Sequence, residues 1–228
     1  MSHNYRTRGF TLIELMLAMT FLSVLLLAIA MTVIQVSNIY TRGLTLKEVN
    51  QAGRAVSAEL KSGIAGSAPF TIPGPKYIQQ AWGGRLCVGQ YSYIWNYGAT
   101  LNNPSADGTN SNVYSNSSNK IRFIKVPDNS GIYCSTAGKA IDSNGAVELL
   151  ASGDRDLAIH SFSIVNDSTD AQSSQALYSI SFVVGTNDQQ ALTTAQTSCR
   201  PPSDATSDLN YCSINRFDIV VRAMNALQ

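Results

Sequence analysis

The chain has 228 residues, 44% of them hydrophobic and only 14% charged, against about 25% charged in an ordinary soluble domain. Sixteen Lys and Arg face fifteen Asp and Glu, a net charge of +1, which excludes a nucleic-acid partner held by bulk electrostatics alone. Plentiful aromatic and β-branched residues exclude a disordered chain, and the length fits one domain, with or without an appendage.

The first element is the run Phe10–Val36, 27 residues with one charge, Glu14, and neither Gly nor Pro. A bilayer core takes about 20 apolar residues as a helix, so the run is long enough to span it. Arg6 and Arg8 precede it, while Glu48 partly offsets Arg42 and Lys47 beyond it. The positive-inside rule then places the N-terminus in the cytoplasm and the remainder outside. Two other readings exist. A secretory signal cut at Ala28-Ile29-Ala30 fits poorly, because the apolar run continues through Met31, Val33, Ile34 and Val36. A plain single-pass anchor leaves Glu14 unexplained, although an acid inside a spanning helix costs up to ~2.5–3.5 kcal/mol.

Arg8-Gly9-Phe10-Thr11-Leu12-Ile13-Glu14-Leu15-Met16 resembles the class III signal of type IV prepilins and type II secretion pseudopilins. The resemblance implies that a membrane prepilin peptidase cuts between Gly9 and Phe10 and methylates the new amine of Phe10. Glu14 then becomes the fifth residue of the mature chain. In that family this acid is thought to meet the Phe10 amine of a neighbouring subunit, which sets the axial stagger. A buried pair of this kind specifies register better than it stabilises. Gly9 suits a narrow protease cleft, because it has no side chain to clash. The organisation expected is a leader at 1–9, a transmembrane and filament-core helix at 10–36, an amphipathic half at 37–65, and an exported β-rich domain at 66–228.

Leu46, Val49, Gly53, Val56, Leu60 and Ile64 recur at helical spacing, which predicts an amphipathic continuation of the same helix. Gly63, Gly66 and Pro69 end it, and Gly43 and Gly53 are candidate bends. A helix from about residue 10 to 63 would be about 80 Å long, its upper half against a domain and its lower half free. Beyond Pro69 the period changes to two. Tyr91, Tyr93, Trp95 and Tyr97 alternate, as do Tyr178, Ile180, Phe182 and Val184, with shorter candidates at 120–126, 145–150, 157–165 and 216–222. No βαβ rhythm appears. The fold class expected is therefore α+β, with the long helix packed on a mainly antiparallel sheet, as in type IV pilins. The Tyr91–Tyr97 stripe reads as a core strand rather than a carbohydrate or partner platform.

Four cysteines in the exported part, Cys87, Cys134, Cys199 and Cys212, allow three disulfide connectivities. Near-terminal disulfide loops are common in pilins. On that resemblance the pairs expected are Cys199–Cys212, around Pro201-Pro202, and Cys87–Cys134. No nucleophile elbow, zinc-protease helix, P-loop or dinucleotide fingerprint occurs, so no enzyme activity, metal or cofactor is expected. His3 lies in the leader, and His160 alternates with Phe162 and Ile164 as a packed residue. Asp107–Asn112 departs from calcium-loop spacing, and the sequons at Asn116 and Asn166 carry little meaning.

Asn50-Gln51-Ala52-Gly53-Arg54-Ala55, Glu59-Leu60 and the final stretch Phe217–Arg222 resemble PilW-like minor pilins and the related J-type minor pseudopilins. Major pilins often carry a helix-breaking Gly and Pro in the membrane half, and Phe10–Arg42 has neither. The resemblance implies a minor pilin of a type IV pilus serving adhesion, motility or DNA uptake. Its partners would be the prepilin peptidase, other pilins and minor pilins, the inner-membrane assembly platform, lipid before assembly, and an adhesin or DNA at the tip. It would wait in the cytoplasmic membrane before entering a pilus or pseudopilus. The alternatives are a minor pseudopilin of a type II secretion system and a single-pass anchored binding domain.

Overall fold

A computed structural model describes residues 9–102, 121–135, 141–142, 144–150, 155–170, 175–205 and 207–224, with only the backbone at 169–170. Arg6, Arg8 and His3 of the leader, the Asp107–Asn112 loop and the Asn116 sequon lie outside these residues. The chain forms two compact units, Met1–Thr41 and Arg42–Gln228. Helix α1 runs from Leu12 to Ala65 and contributes to both. It is helical through Gly43 and Gly53, so neither glycine interrupts it.

In the first unit every described residue from Gly9 to Tyr40 is exposed, and Glu14 is the only charged one. In the second unit α1 buries Thr45, Val49, Ala52, Gly53, Val56, Leu60 and Ile64. Leu46, expected on that stripe, is instead 49% exposed. Stepping back four residues from Val49 reaches Thr45, which sits nearer the middle of the stripe. Its hydroxyl donates to the Asn210 carbonyl at 3.0 Å, so the helix meets a polar loop there.

The sequence predicts one sheet; the chain builds two, both antiparallel. The first is a meander of β1 (Tyr77–Gln80), β2 (Gly83–Val88), β3 (Tyr91–Asn96), β4 (Phe123–Pro127) and β5 (Val147–Glu148). The second holds β6 (Leu157–Asp170), β7 (Gln175–Thr186) and β8 (Ile214–Ala223) in that order. Among the described residues one parallel bridge, Tyr97 to Ile159, joins the two sheets. Two short helices, α2 (Gly98–Asn102) and α3 (Ile132–Ser135), complete the described elements.

The register puts Phe162 opposite Phe182 and Phe182 opposite Phe217, with Ile164, Ile180 and Ile219 in the adjacent row. These inward side chains share a core with the buried face of α1 and with Leu86, Tyr93, Trp95 and Phe123 of the first sheet. Tyr93 and Trp95 are fully buried, so the middle of the aromatic stripe is core, while Tyr97 is half-buried and Tyr91 is 39% exposed. The opposite face of β3 is covered too, because Ile94 belongs to a second cluster with Ile121, Ile124, Val126, Tyr133 and Ile141. Strand β2 escaped the sequence reading because it opens with Gly83-Gly84. A Cβ at Gly84 would stand 2.3 Å from the Trp95 indole, so close approach requires glycine there.

Charged groups fasten the layers. Glu59 of α1 accepts the Lys125 ammonium at 2.6 Å and the Tyr93 hydroxyl at 3.0 Å. The hydrogen bond from Lys125 holds the Glu59 carboxyl below its ordinary pKa against partial burial. Arg85 is wholly buried, donates to the Tyr133 carbonyl at 3.0 Å, and is pushed down to about 10 by burial. His160 packs beside Gly98 and Gly185, its Nε2 3.1 Å from the Thr186 carbonyl, and burial lowers its pKa. Disulfides join Cys87 to Cys134 and Cys199 to Cys212.

Asp128 organises the first of these bridges. Its Oδ2 accepts from the Ser92 hydroxyl at 2.7 Å and the Tyr133 N–H at 3.1 Å, and its Oδ1 from the Ile132 N–H at 3.0 Å. It thereby caps α3, which carries Cys134. Burial alone would raise its pKa, but the Ser92 hydroxyl and the backbone donors outweigh that and lower it. A depressed carboxyl stabilises the fold above its unfolded value of about 3.9, and that contribution fades as pH falls through the folded value. Asp128→Asn should thus weaken the fold at neutral pH and flatten the loss of stability below about pH 4. Urea midpoints across pH 2.5–7 check this; parallel curves for variant and parent would refute it.

Gly53 sets the spacing between α1 and β8, since a Cβ there would meet the Phe217 ring at 2.1 Å. Gly53→Ala should cost about 1–2 kcal/mol net, overpacking outweighing the gain in helix propensity. A Cβ at Gly43 meets nothing within 4 Å, so Gly43→Ala should be neutral or stabilising by up to ~1 kcal/mol. Trp82 and Trp95 fluorescence during unfolding of the detergent-solubilised chain reads both. Equal effects at the two positions would contradict the packing argument.

Candidate functional site

The expected processing residues sit where the chain enters α1. Gly9 and Phe10 precede the helix, Phe10 is 77% exposed, and a Cβ on Gly9 would meet no atom within 4 Å. Nothing in the described chain therefore requires glycine at position 9, so any requirement for it comes from a partner.

Thr11 and Glu14 close the first turn reciprocally. The Glu14 N–H donates to Thr11 Oγ1 at 3.3 Å, while Glu14 Oε2 accepts the Thr11 N–H at 3.1 Å. The Thr11 hydroxyl also donates to the same Oε2 at 2.9 Å. This is a capping box, with Thr11 at the N-cap and Glu14 at the third helical position. The negative carboxylate also lies at the positive end of the helix dipole. The T-x-x-E spacing was available in the sequence, but the signal motif drew attention to Glu14 and left Thr11 without a role. Glu14 Oε1 takes no hydrogen bond from the described residues.

Beyond this turn, α1 hides its hydroxyls from an apolar medium. Thr20 donates to the Leu17 carbonyl at 2.9 Å, Ser23 to Met19 at 2.8 Å and Thr32 to Ile29 at 2.7 Å. With the backbone paired inside the helix, these bonds leave little polar surface to desolvate. The helix is long and apolar enough to cross a membrane, and its apolar stretch is exposed among the described residues.

The globular unit offers little for catalysis among the described residues. No group of three or more His, Cys, Asp or Glu side chains could hold a metal there. A groove of about 710 Å³ crosses the outer face of β6–β8 over Ser161, Ser163, Ser179, Ser181 and Val183. Its rim carries the exposed Arg216–Asp218 pair, 3.0 Å apart. The four cysteines lie in two disulfides.

Residues 4–33 match the family model for the prokaryotic N-terminal methylation motif. No curated protein and no solved structure matches the chain. The match spans the signal, Phe10, Glu14 and most of the apolar helix. A motif of this type supports a type IV pilin- or pseudopilin-like protein and implies processing by a prepilin peptidase and assembly with other pilins. The long helix on antiparallel sheets is consistent with a pilin-like fold.

A charge at the centre of the apolar run tests its solvent. Ser23→Arg should raise the cost of residing in a bilayer by about 2.5–3.5 kcal/mol, whereas Ser23→Leu should be tolerated. The fraction of full-length chain retained in carbonate-washed membranes measures this. Equal retention of the two variants would argue against a spanning helix.

Proposed function

We propose that this protein is a minor pilin, a structural subunit of a type IV filament rather than an enzyme. Prepilin peptidase cuts it after Gly9 and methylates the amine of Phe10. Before assembly, residues 10–36 hold it in the cytoplasmic membrane with its N-terminus inside and the globular unit outside. Other pilins and an inner-membrane platform then draw it into the filament. There the Glu14 carboxylate meets the Phe10 amine of a neighbour and fixes the stagger between subunits.

The observation that carries this reading is the methylation motif at residues 4–33, placed at the entry of an uncovered apolar helix. A plain anchor gives no reason for a carboxylate in that helix. The minor role is supported by the stretch from Phe10 to Arg42, which has no helix-breaking Gly or Pro and is followed by an unbroken α1. It is supported also by the likeness of Asn50–Ala55 and Phe217–Arg222 to PilW-like chains. The outer face of β6–β8 and the loops beside it are the surfaces left for a tip adhesin, a substratum or DNA.

Mass spectrometry of the N-terminal peptide from membranes or sheared filaments tests the proposal. The peptide should begin at Phe10 and be one methyl group heavier than its sequence, and Gly9→Val should leave the leader attached. A start at Met1 would indicate an unprocessed anchor, and one at Met31 a secreted domain; either result ends the pilin reading. Presence of the mature chain in sheared surface filaments separates a pilus from a short periplasmic pseudopilus.

A further inference from the structure

We propose that Thr11 is a positioning residue for Glu14, holding its carboxylate with one oxygen engaged and the other presented to an incoming amine. The inference rests on the pilin reading above and adds a role for a residue outside the cleavage and register pair.

Three hydrogen bonds define the arrangement. Thr11 Oγ1 accepts the Glu14 N–H, and both the Thr11 hydroxyl and the Thr11 N–H donate to Glu14 Oε2. Oε2 thus receives two donors, and Oε1 receives none from the described residues. A glutamate side chain is otherwise free to sample many rotamers, and fixing one of them on pairing lowers affinity. Here Thr11 fixes it beforehand. The hydroxyl acts as donor and acceptor at once, which a valine of the same shape cannot do.

The partner is the one the proposed function assigns, and the geometry suits it. The carboxylate faces outward from the first turn of an exposed helix, next to Phe10 at 77% exposure. The group that complements a single free carboxylate oxygen at an apolar surface is a compact cation with several N–H donors. The methylated α-amine of a second processed chain has that chemistry. Thr11 touches no atom of this partner; it acts through Glu14.

The experiment uses the full chain in its native membrane, with Thr11→Val and Thr11→Ser beside the parent. Thr11→Val should be cut after Gly9, methylated and retained in membranes at parental levels. Its amount in sheared filaments should fall about two- to tenfold, as expected for losing one pre-ordered side chain. Thr11→Ser, which keeps the hydroxyl, should restore incorporation. Parental incorporation of Thr11→Val overturns the proposal, as does failure of Thr11→Ser to restore it, which would assign position 11 to packing. An uncut Thr11→Val would place the hydroxyl in peptidase recognition instead, also overturning it. The parent's own N-terminal mass, read in the same samples, tests the pilin reading separately; a start other than Phe10 takes both down.

Discussion

One helix has to satisfy its polar groups in two different settings, exposed over its apolar first half and packed in protein over its second, and most of this structure answers that constraint. From Leu12 to Tyr40 every residue of α1 is exposed among the described residues. Every polar group in that stretch must therefore find its partner inside the helix or tolerate lipid. The short hydroxyl side chains Thr20, Ser23 and Thr32 do so by donating back to their own helix. The only charge lies in the first turn, where backbone N–H groups are available to it. From Thr45 onward the medium changes to protein, and the helix presents a stripe of small and aliphatic side chains.

The narrowness of that stripe shapes the globular unit. Gly53 lets Phe217 of β8 lie close against the helix, and the ring stack then passes inward. Phe217 stacks on Phe182 at 5.4 Å, Phe182 on Phe162 at 6.1 Å, and Phe162 lies 4.1 Å from Trp95. Trp95 meets Phe123 edge-on at 5.9 Å. One aromatic path thus crosses from the second sheet to the first. Two sheets joined, among the described residues, by one backbone bridge share one core, because side chains make the connection that the ladders do not.

The parts of this plan legible in the sequence are those with a long period. The helix spacing from Val49 to Ile64 and the alternation in Tyr178–Val184 each repeat often enough to fix a face. Strand β2 is six residues long and opens with two glycines, so its period never declares itself. The division into two sheets was equally hidden, because alternation shows which residues point inward but not which strands pair. Leu46 and Thr45 differ by one position, and the choice between them depends on the loop at Asn210, distant in the chain. At the candidate site the sequence displayed Gly9, Phe10 and Glu14 through a known motif. Thr11 needed a different rule, that of the helix cap, applied to residues already claimed by another pattern.

Carboxylates in this protein, few as they are, serve backbone and hydroxyl groups as much as they serve cations. Asp128 gives both oxygens to Ser92 and to the first N–H groups of α3. Glu148 gives both of its oxygens to the N–H groups of Arg122, Phe123 and Leu150. Burial nevertheless raises the Glu148 pKa, with those donors only partly offsetting it. Each of these carboxylates is spent within its own fold. Glu14 follows the same habit, and, as at Glu59, both donors to its side chain converge on a single oxygen. A second oxygen left over on a charged group is inexpensive in water and costly in an apolar setting. Its position on a helix that its own chain leaves uncovered favours a partner that brings the missing cation.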